Sequence, residues 1–308
     1  MNTLRCIRTG HVRPPFPRNA VALQYHPRPP GEKVRERDCP NDNVGLTMTN
    51  PVPNMFDLSG RVAVVVGGTS GIGKTLALGL ADAGADVVAG GRRADFVDKV
   101  ASEIEAKGRR TIREVVDVQN RLSVDKFRDT TLKALGRVDI LVNAAGQIQR
   151  KPTSEVSEAD WQRILDINVT GVLRACQSFY RPLAESGHGR IINIASLTSF
   201  VSLLEVAAYA ASKAAVLSLT RSLAQEWAKD GIAVNALAPG VFPTEINAKL
   251  LDGTERGREF LVRTPMRRFG KPEELVGATL LLASDSASYM AGECIVVDGG
   301  MLATGVNS

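Results

Sequence analysis

The sequence predicts an α/β protein: one doubly wound domain, a parallel sheet of about seven strands with helices on both faces. Three observations carry this. From Phe56 onward, short β-branched runs alternate with helix-length amphipathic segments. The runs are nearly continuous in apolar residues, as strands buried on both faces must be. The first run empties directly into a glycine-rich turn that opens a helix. Right-handed crossovers between such units wind the sheet in both directions and place ligands at the carboxyl ends of the strands.

The strands are expected at 62–66, 86–89, 111–116, 138–143, 190–195, 232–237 and 294–297. The first (VAVVV), fourth (VDILVN) and fifth (RIINIA) are the most continuously apolar. The helices are expected at 72–83, 94–107, 121–135, 158–186, 210–229 and 272–284, where apolar positions recur at helical spacing. No interruption divides the chain after Phe56, so residues 55–308 form one domain. Residues 1–54 are different in kind. They hold nine of the fifteen prolines and no sustained periodicity, which predicts a disordered or poorly ordered extension. Their first 31 residues carry arginines and no acids, as transit peptides do, but the prolines and missing serines argue against an amphipathic targeting helix. An over-long start, with Met48 or Met55 as the natural first residue, accounts for the segment more simply.

Composition excludes several classes. The net charge of +5 is concentrated in residues 1–54, with eight Arg/Lys against four Asp/Glu, so the folded part is near neutral and no nucleic-acid face is expected. No apolar run is long enough to span a membrane. Cys6, Cys39, Cys176 and Cys294 are far apart and read as free thiols in a reducing, cytoplasmic setting. The three histidines are scattered, and no metal is expected.

The glycine-rich turn is Gly67-Gly68-Thr69-Ser70-Gly71-Ile72-Gly73. Glycines at a helix N-terminus let the backbone approach a pyrophosphate, whose charge the exposed N–H groups and helix dipole favour. The spacing is G-x-x-x-G-x-G, not the G-x-G-x-x-G of the common dinucleotide fingerprint. Further on, Tyr209 and Lys213 stand at i and i+4, one turn apart on one helix face. A phenol is a poor acid or base near neutral pH, and a neighbouring ammonium would favour its phenolate. Ser196 lies thirteen residues earlier, immediately after a strand and so at the carboxyl edge of the sheet.

Together these segments resemble the short-chain dehydrogenase/reductase family, whose domain is of the Rossmann type. The likeness spans about residues 56–300 and includes the glycine loop, Asn143-Ala144-Ala145-Gly146, Asn168 in Ile167-Asn168-Val169, Ser196 in Asn193-Ile194-Ala195-Ser196, Tyr209-x-x-x-Lys213 and Pro239-Gly240-Val241-Phe242-Pro243-Thr244. Two positions depart from the pattern. Val66 replaces a threonine that leads the loop, and Ala144 replaces the second asparagine of N-N-A-G.

The resemblance implies a nicotinamide-dependent oxidoreductase that interconverts a carbonyl and a secondary alcohol. Tyr209 would exchange a proton with the substrate oxygen. Lys213 would lower the Tyr209 pKa and hold the nicotinamide ribose. Ser196 would orient the substrate oxygen, and Asn168 would anchor a proton-relaying water. Gly67, Thr69, Ser70, Gly71, Ile72 and Gly73 would seat the pyrophosphate; Asp117 and Val118 would contact the adenine. Asn143, Ala144, Ala145, Gly146, Tyr209, Lys213, Pro239, Gly240, Val241 and Thr244 would complete the cofactor site. The acidic residue that binds a ribose 2′-hydroxyl falls on Gly91, followed by Arg92 and Arg93, which favours NADP(H) over NAD(H).

Substrate specificity is expected from 147–153, 197–208 and a flexible stretch at 242–266. The segments 55–58, 146–152 and 196–199 look like sugar-acid members of the family, gluconate 5-dehydrogenases and related keto-sugar-acid reductases. There, Arg150 would clamp a substrate carboxylate, or else face water. The alternative substrate is a 3-oxoacyl thioester on acyl carrier protein. A non-catalytic nucleotide-binding scaffold is the alternative of another class, and the complete Asn168–Ser196–Tyr209–Lys213 set argues against it. Apolar faces on 158–186 and 210–229, with the resemblance, imply a homotetramer.

Overall fold

The computed structural model describes residues 55–244 and 251–304. The expectation for residues 1–54 lies outside the described residues. Within them, six strands form one fully parallel sheet, ordered β2-β1-β3-β4-β5-β6. They are β1 (Val62–Val66), β2 (Asp86–Gly90), β3 (Ile140–Asn143), β4 (Arg190–Ile194), β5 (Ala233–Pro239) and β6 (Cys294–Val297). The strand order reverses beside β1, the position at which doubly wound sheets open a crevice.

Alternation along β1 sends side chains to two cores. Val62, Val64 and Val66 enter one with Phe127, Phe179, Leu183 and Val216; Ala63 and Val65 enter the other with Leu76, Leu80, Ile104 and Leu282. The first core is therefore capped by α3 (Arg121–Leu135), α5 (Gly171–Glu185) and α6 (Ala207–Trp227). The second lies under α1 (Gly71–Asp82), α2 (Ala94–Ala106) and α8 (Val276–Ala283). Every residue of β1 is at most 1% exposed, and burying each valine stabilises the fold by about 1.5–3 kcal/mol.

Local signals place the helix ends. Asn120 Oδ1 accepts from the N–H groups of Leu122 and Ser123 at 2.9 and 3.3 Å, starting α3, and Gly136 ends it in the left-handed region. Ser157 caps α4 (Glu158–Leu165) in the same way through Asp160 N–H at 3.1 Å.

Four expectations are corrected. The strand at 111–116 does not form. The segment meets β2 only at its ends, where Val87 N–H donates to Arg110 O and Val116 N–H donates to Gly91 O. Between them no backbone bond joins the two segments, so no ladder develops and the strands among the described residues number six; Arg113 and Glu114 form ion pairs with Glu105 and Lys126. The helix expected at 158–186 is interrupted between α4 and α5 by a π-turn, Asp166–Thr170, in which Gly171 N–H reaches Asp166 O. Helix α6 starts at Ala207, so Tyr209 sits in its first turn. The stretch 242–266, expected to be flexible, lies outside the described residues at 245–250 and beyond them holds a helix, α7 (Glu255–Arg263), capped by Thr254 through Gly257 N–H at 3.0 Å. Among the described residues, no helix is long and apolar enough to cross a membrane.

Candidate active site

At the carboxyl ends of the strands, beside the reversal in strand order, lies a cavity of about 1050 Å³. Its floor begins at the loop after β1. Gly67 adopts φ +86°, and a Cβ there would stand 2.4 Å from Ala145 N. A Cβ on Gly73 would stand 2.1 Å from Gly67 O. Neither position tolerates a side chain, so the two turns after β1 and β3 are pressed together by the absence of carbon. Ser70 precedes α1, and its side chain accepts nothing from the helix's own N–H groups. These donors and the positive end of α1 are left facing the cavity, which Ser70, Gly71, Ile72 and Gly73 all line.

The far end of the cradle holds no carboxylate at residue 91. A Cβ on Gly91 would lie 2.4 Å from Thr69 Oγ1 and 2.9 Å from its Cγ2, so buried Thr69 excludes every side chain there. Arg92 and Arg93 line the cavity next to it. Arg93 stacks on Phe96 with its guanidinium carbon 3.5 Å from the ring centroid; among the described residues Arg92 has no ion-pair partner. A backbone anion cradle, uncapped helix donors and an unengaged guanidinium fit a dinucleotide bearing a 2′-phosphate.

Ser196, Tyr209 and Lys213 line the same cavity on the β4 side. Ser196 follows β4 by two residues and its Oγ accepts from Thr198 N–H at 3.1 Å, which pins the backbone turn. Lys213 is 5% exposed, with Nζ donating to Ile194 O at 2.6 Å and standing 5.7 Å from the Tyr209 ring centroid. Burial drives its pKa from 10.5 to about 8. Burial also raises the Tyr209 phenol, and the opposing influence is a hydrogen bond from Ser196. The Ser196 hydrogen bond thus favours the phenolate against that burial.

Asn168 lies in the π-turn, fully buried and outside the cavity lining. Its Oδ1 accepts from Gln147 N–H at 2.8 Å, and its Nδ2 donates to Gln147 O and to Ser212 Oγ, both at 2.9 Å. A Cβ on Gly146 would lie 3.5 Å from Lys213 Nζ and 3.6 Å from Asn168 Oδ1, so the turn after β3 packs beside both side chains. The side chain of Asn168 thus fixes the β3 turn against α6.

The structure brings most of the remaining sequence-derived residues to the cavity: Thr69, Asp117, Val118, Ala144, Ala145, Arg150, Pro239, Gly240, Val241 and Thr244. Asn143 is not among them. It points into the core, where Nδ2 donates to Asn193 Oδ1 at 2.9 Å and to Cys176 Sγ at 3.3 Å. Three contributors were not named individually by the sequence, although two of them lie in the stretch 242–266 expected to set specificity. Ser212 braces Asn168 and donates to Tyr209 O at 2.6 Å; Arg256 and Phe260 bring α7 to the cavity wall. The amphipathic order of 255–263 is the signal that would have singled out the last two within that stretch.

Comparison with known proteins agrees with this geometry. A family model described as enoyl-(acyl carrier protein) reductase matches residues 66–302. Gluconate 5-dehydrogenase of Gluconobacter oxydans is 39% identical over 249 residues, covering 81% of this chain and 97% of its own. The 2-dehydro-3-deoxy-D-gluconate 5-dehydrogenase of Escherichia coli is 39% identical, covering 80% and 98%. The crystal structure of a gluconate 5-dehydrogenase from Burkholderia cenocepacia, in complex with NADP and tartrate, superposes with a TM-score of 0.78. It is 37% identical and covers 82% of this chain and 98% of that one. The chain belongs to the short-chain dehydrogenase/reductase family and is an oxidoreductase.

Proposed function

We propose that the protein is an NADP(H)-dependent dehydrogenase that interconverts a secondary alcohol and a ketone on a sugar acid. The observation that carries the proposal is the meeting of Ser196, Tyr209 and Lys213 with the glycine cradle in one cavity. When bound, the nicotinamide supplies or accepts the hydride at the reacting carbon. The chain supplies the proton and the geometry. Tyr209 Oη gives its proton to the carbonyl oxygen in reduction and takes it back in oxidation. The Ser196 hydroxyl steers that oxygen toward the phenol, because transfer requires reacting atoms about 3–3.5 Å apart. Gly67, Gly71 and Gly73 would seat the pyrophosphate, and Arg92 a 2′-phosphate that no carboxylate at 91 repels.

The sugar-acid substrate is supported by the gluconate and deoxygluconate dehydrogenases among the relatives and by arginines on the cavity wall, Arg150 and Arg256. Assembly as a homotetramer through α5 and α6, in the cytoplasm and without nucleic-acid partners, completes the proposal. The test is a panel of sugar acids, keto-sugar acids, neutral polyols and 3-oxoacyl thioesters, each assayed with NADP(H) and NAD(H). Preference for a sugar acid with NADP(H), abolished in Tyr209→Phe, is the expected result. Preference for a thioester, or for NAD(H), would overturn the corresponding half of the proposal.

A further inference from the structure

We propose that Asp166 and Arg174 are positioning residues that couple the adenine end of the cofactor site to the proton-transfer end. Filling the first then sets the geometry of the second, a property that rests on the NADP(H)-dehydrogenase reading and deepens it.

The joint is the π-turn between α4 and α5. Such a turn holds an extra residue and re-aims side chains relative to a regular helix. Asp166 opens it, Asn168 lies at its centre, and Gly171 follows it. The two polar side chains reach different parts of the molecule. Asp166 Oδ1 pairs with Arg174 Nη2 at 2.8 Å, and its Oδ2 accepts from Gln119 Nε2 at 3.2 Å. Arg174 Nη1 donates to Val118 O at 3.0 Å, so one guanidinium holds the turn against the 117–119 segment. Packing repeats the connection, since a Cβ on Gly171 would stand 2.9 Å from Val118 Cβ and Cγ2. Val118 and Gln119 line the cavity on the side where Asp117 and Val118 would contact adenine.

Asn168 reaches the other way. Its amide binds both backbone groups of Gln147 and the hydroxyl of Ser212, which donates to Tyr209 O at 2.6 Å. No bond in this chain exceeds 2.9 Å, and Asn168 and Ser212 are fully buried. A shift of the turn therefore reaches the backbone of Tyr209 without being absorbed by solvent or by a loose side chain. Misplacement by about 1 Å is enough to slow a transfer strongly. An exposed ion pair would contribute little. The Asp166–Arg174 pair is mostly buried, at 25% and 20% side-chain exposure, and it joins the adenine wall to the turn that carries Asn168.

The experiment fills the two ends separately. Adenosine 2′-phosphate occupies only the adenine end, and reduced nicotinamide mononucleotide lacks that end altogether. Hydrogen–deuterium exchange at residues 207–214 is followed in free wild type, Asp166→Asn and Arg174→Gln, with and without saturating adenosine 2′-phosphate. Saturation is established for each protein by calorimetry. The nucleotide should slow exchange about tenfold in wild type and about twofold or less in either variant. In parallel, reduction of 5-dehydro-D-gluconate is driven by NADPH or by reduced nicotinamide mononucleotide. The loss of kcat in Asp166→Asn should be about tenfold larger with NADPH than with the mononucleotide, and Asp166→Glu should recover part of the difference. Equal losses with the two reductants would show that the pair only supports the fold, and would overturn the proposal. So would wild-type exchange at 207–214 that does not respond to adenosine 2′-phosphate. Circular-dichroism melts establish that the variants fold. Should wild type reduce no sugar-acid ketone, the substrate reading fails by itself, and the exchange measurement still decides the coupling.

Discussion

Replacing Lys213 by methionine should stabilise the free protein near neutral pH while removing its activity. The side chain is almost fully buried, and its ammonium would ordinarily hold its proton up to pH 10.5 but does so only to about 8. A downward difference of ~2.5 units corresponds to about 3 kcal/mol against the charged form, at ~1.36 kcal/mol per unit. Methionine has a similar length and no charge. It forfeits the hydrogen bond to Ile194 O, a loss of about 1 kcal/mol. The net gain is about 2 kcal/mol at pH 7, or about 4–8 °C in Tm. The pH dependence gives the sharper signature. Below pH 8 the lysine is charged in both folded and unfolded states, and the whole penalty is present. Between about 8 and 10.5 the unfolded chain binds the proton and the folded one does not, so wild type gains stability relative to the variant as pH rises. Above 10.5 both states are neutral and the variant's advantage vanishes. Denaturant unfolding of both proteins at pH 7 and pH 10.5 measures the difference, with other titrating groups common to both. An advantage that is absent at pH 7, or equal at both pH values, would refute the account of a charge held against burial.

Other consequences follow from the cavity. Ser196→Ala removes the hydrogen bond that lowers the Tyr209 pKa, so the phenol holds its proton to higher pH. The rising limb of kcat/KM for alcohol oxidation should move toward alkaline pH; an unmoved or acid-shifted limb would contradict the role. Gly91→Asp alone should fail to bind either cofactor well, because its Cβ meets Thr69 Oγ1 at 2.4 Å. Paired with Thr69→Ala it should bind NADH, and fluorescence titration of the two nucleotides against single and double variants distinguishes these outcomes. Arg92→Ala should weaken NADPH about tenfold or more and leave NADH nearly unchanged, since only the former carries a phosphate to pair; equal losses for both would remove the assignment.

The legible parts of the molecule are those set by local chemistry. Helix α3 and strand β6 fall where periodicity places them, because their apolar spacing and flanking residues agree with the fold. The glycine loop is legible because its glycines are required by backbone contact, at Gly67 and Gly73, whatever the tertiary setting. What escapes is decided at a distance. Residues 111–116 have strand composition, but their neighbour offers hydrogen bonds only at its two ends. The π-turn at Asn168 depends on a side chain whose partners, Gln147 and Ser212, lie 21 and 44 residues away. Helix α7 is hidden by Gly257, a poor helix former placed there because a Cβ would stand 1.8 Å from Leu251 O. Asn143 was assigned to the cofactor by motif, yet the register of β3 on β4 sets it opposite Asn193 and turns it into the core.

The electrostatics of the catalytic pair also differ from what spacing alone suggests. One turn of helix puts an ammonium beside a phenol, and in water the first would loosen the second's proton. Here both groups are buried, and burial disfavours each ionised form: it raises Tyr209 and lowers Lys213. The free site therefore holds a protonated phenol, the state that a general acid needs to complete reduction of a ketone. For oxidation the phenolate must be made against that same burial, with the Ser196 hydroxyl as the group that offsets it. Geometry is shared between the two directions, because Tyr209 and Ser196 face one cavity in both. Protonation is not shared: near neutral pH burial keeps the phenol protonated, the form from which reduction starts, whereas oxidation requires the phenolate.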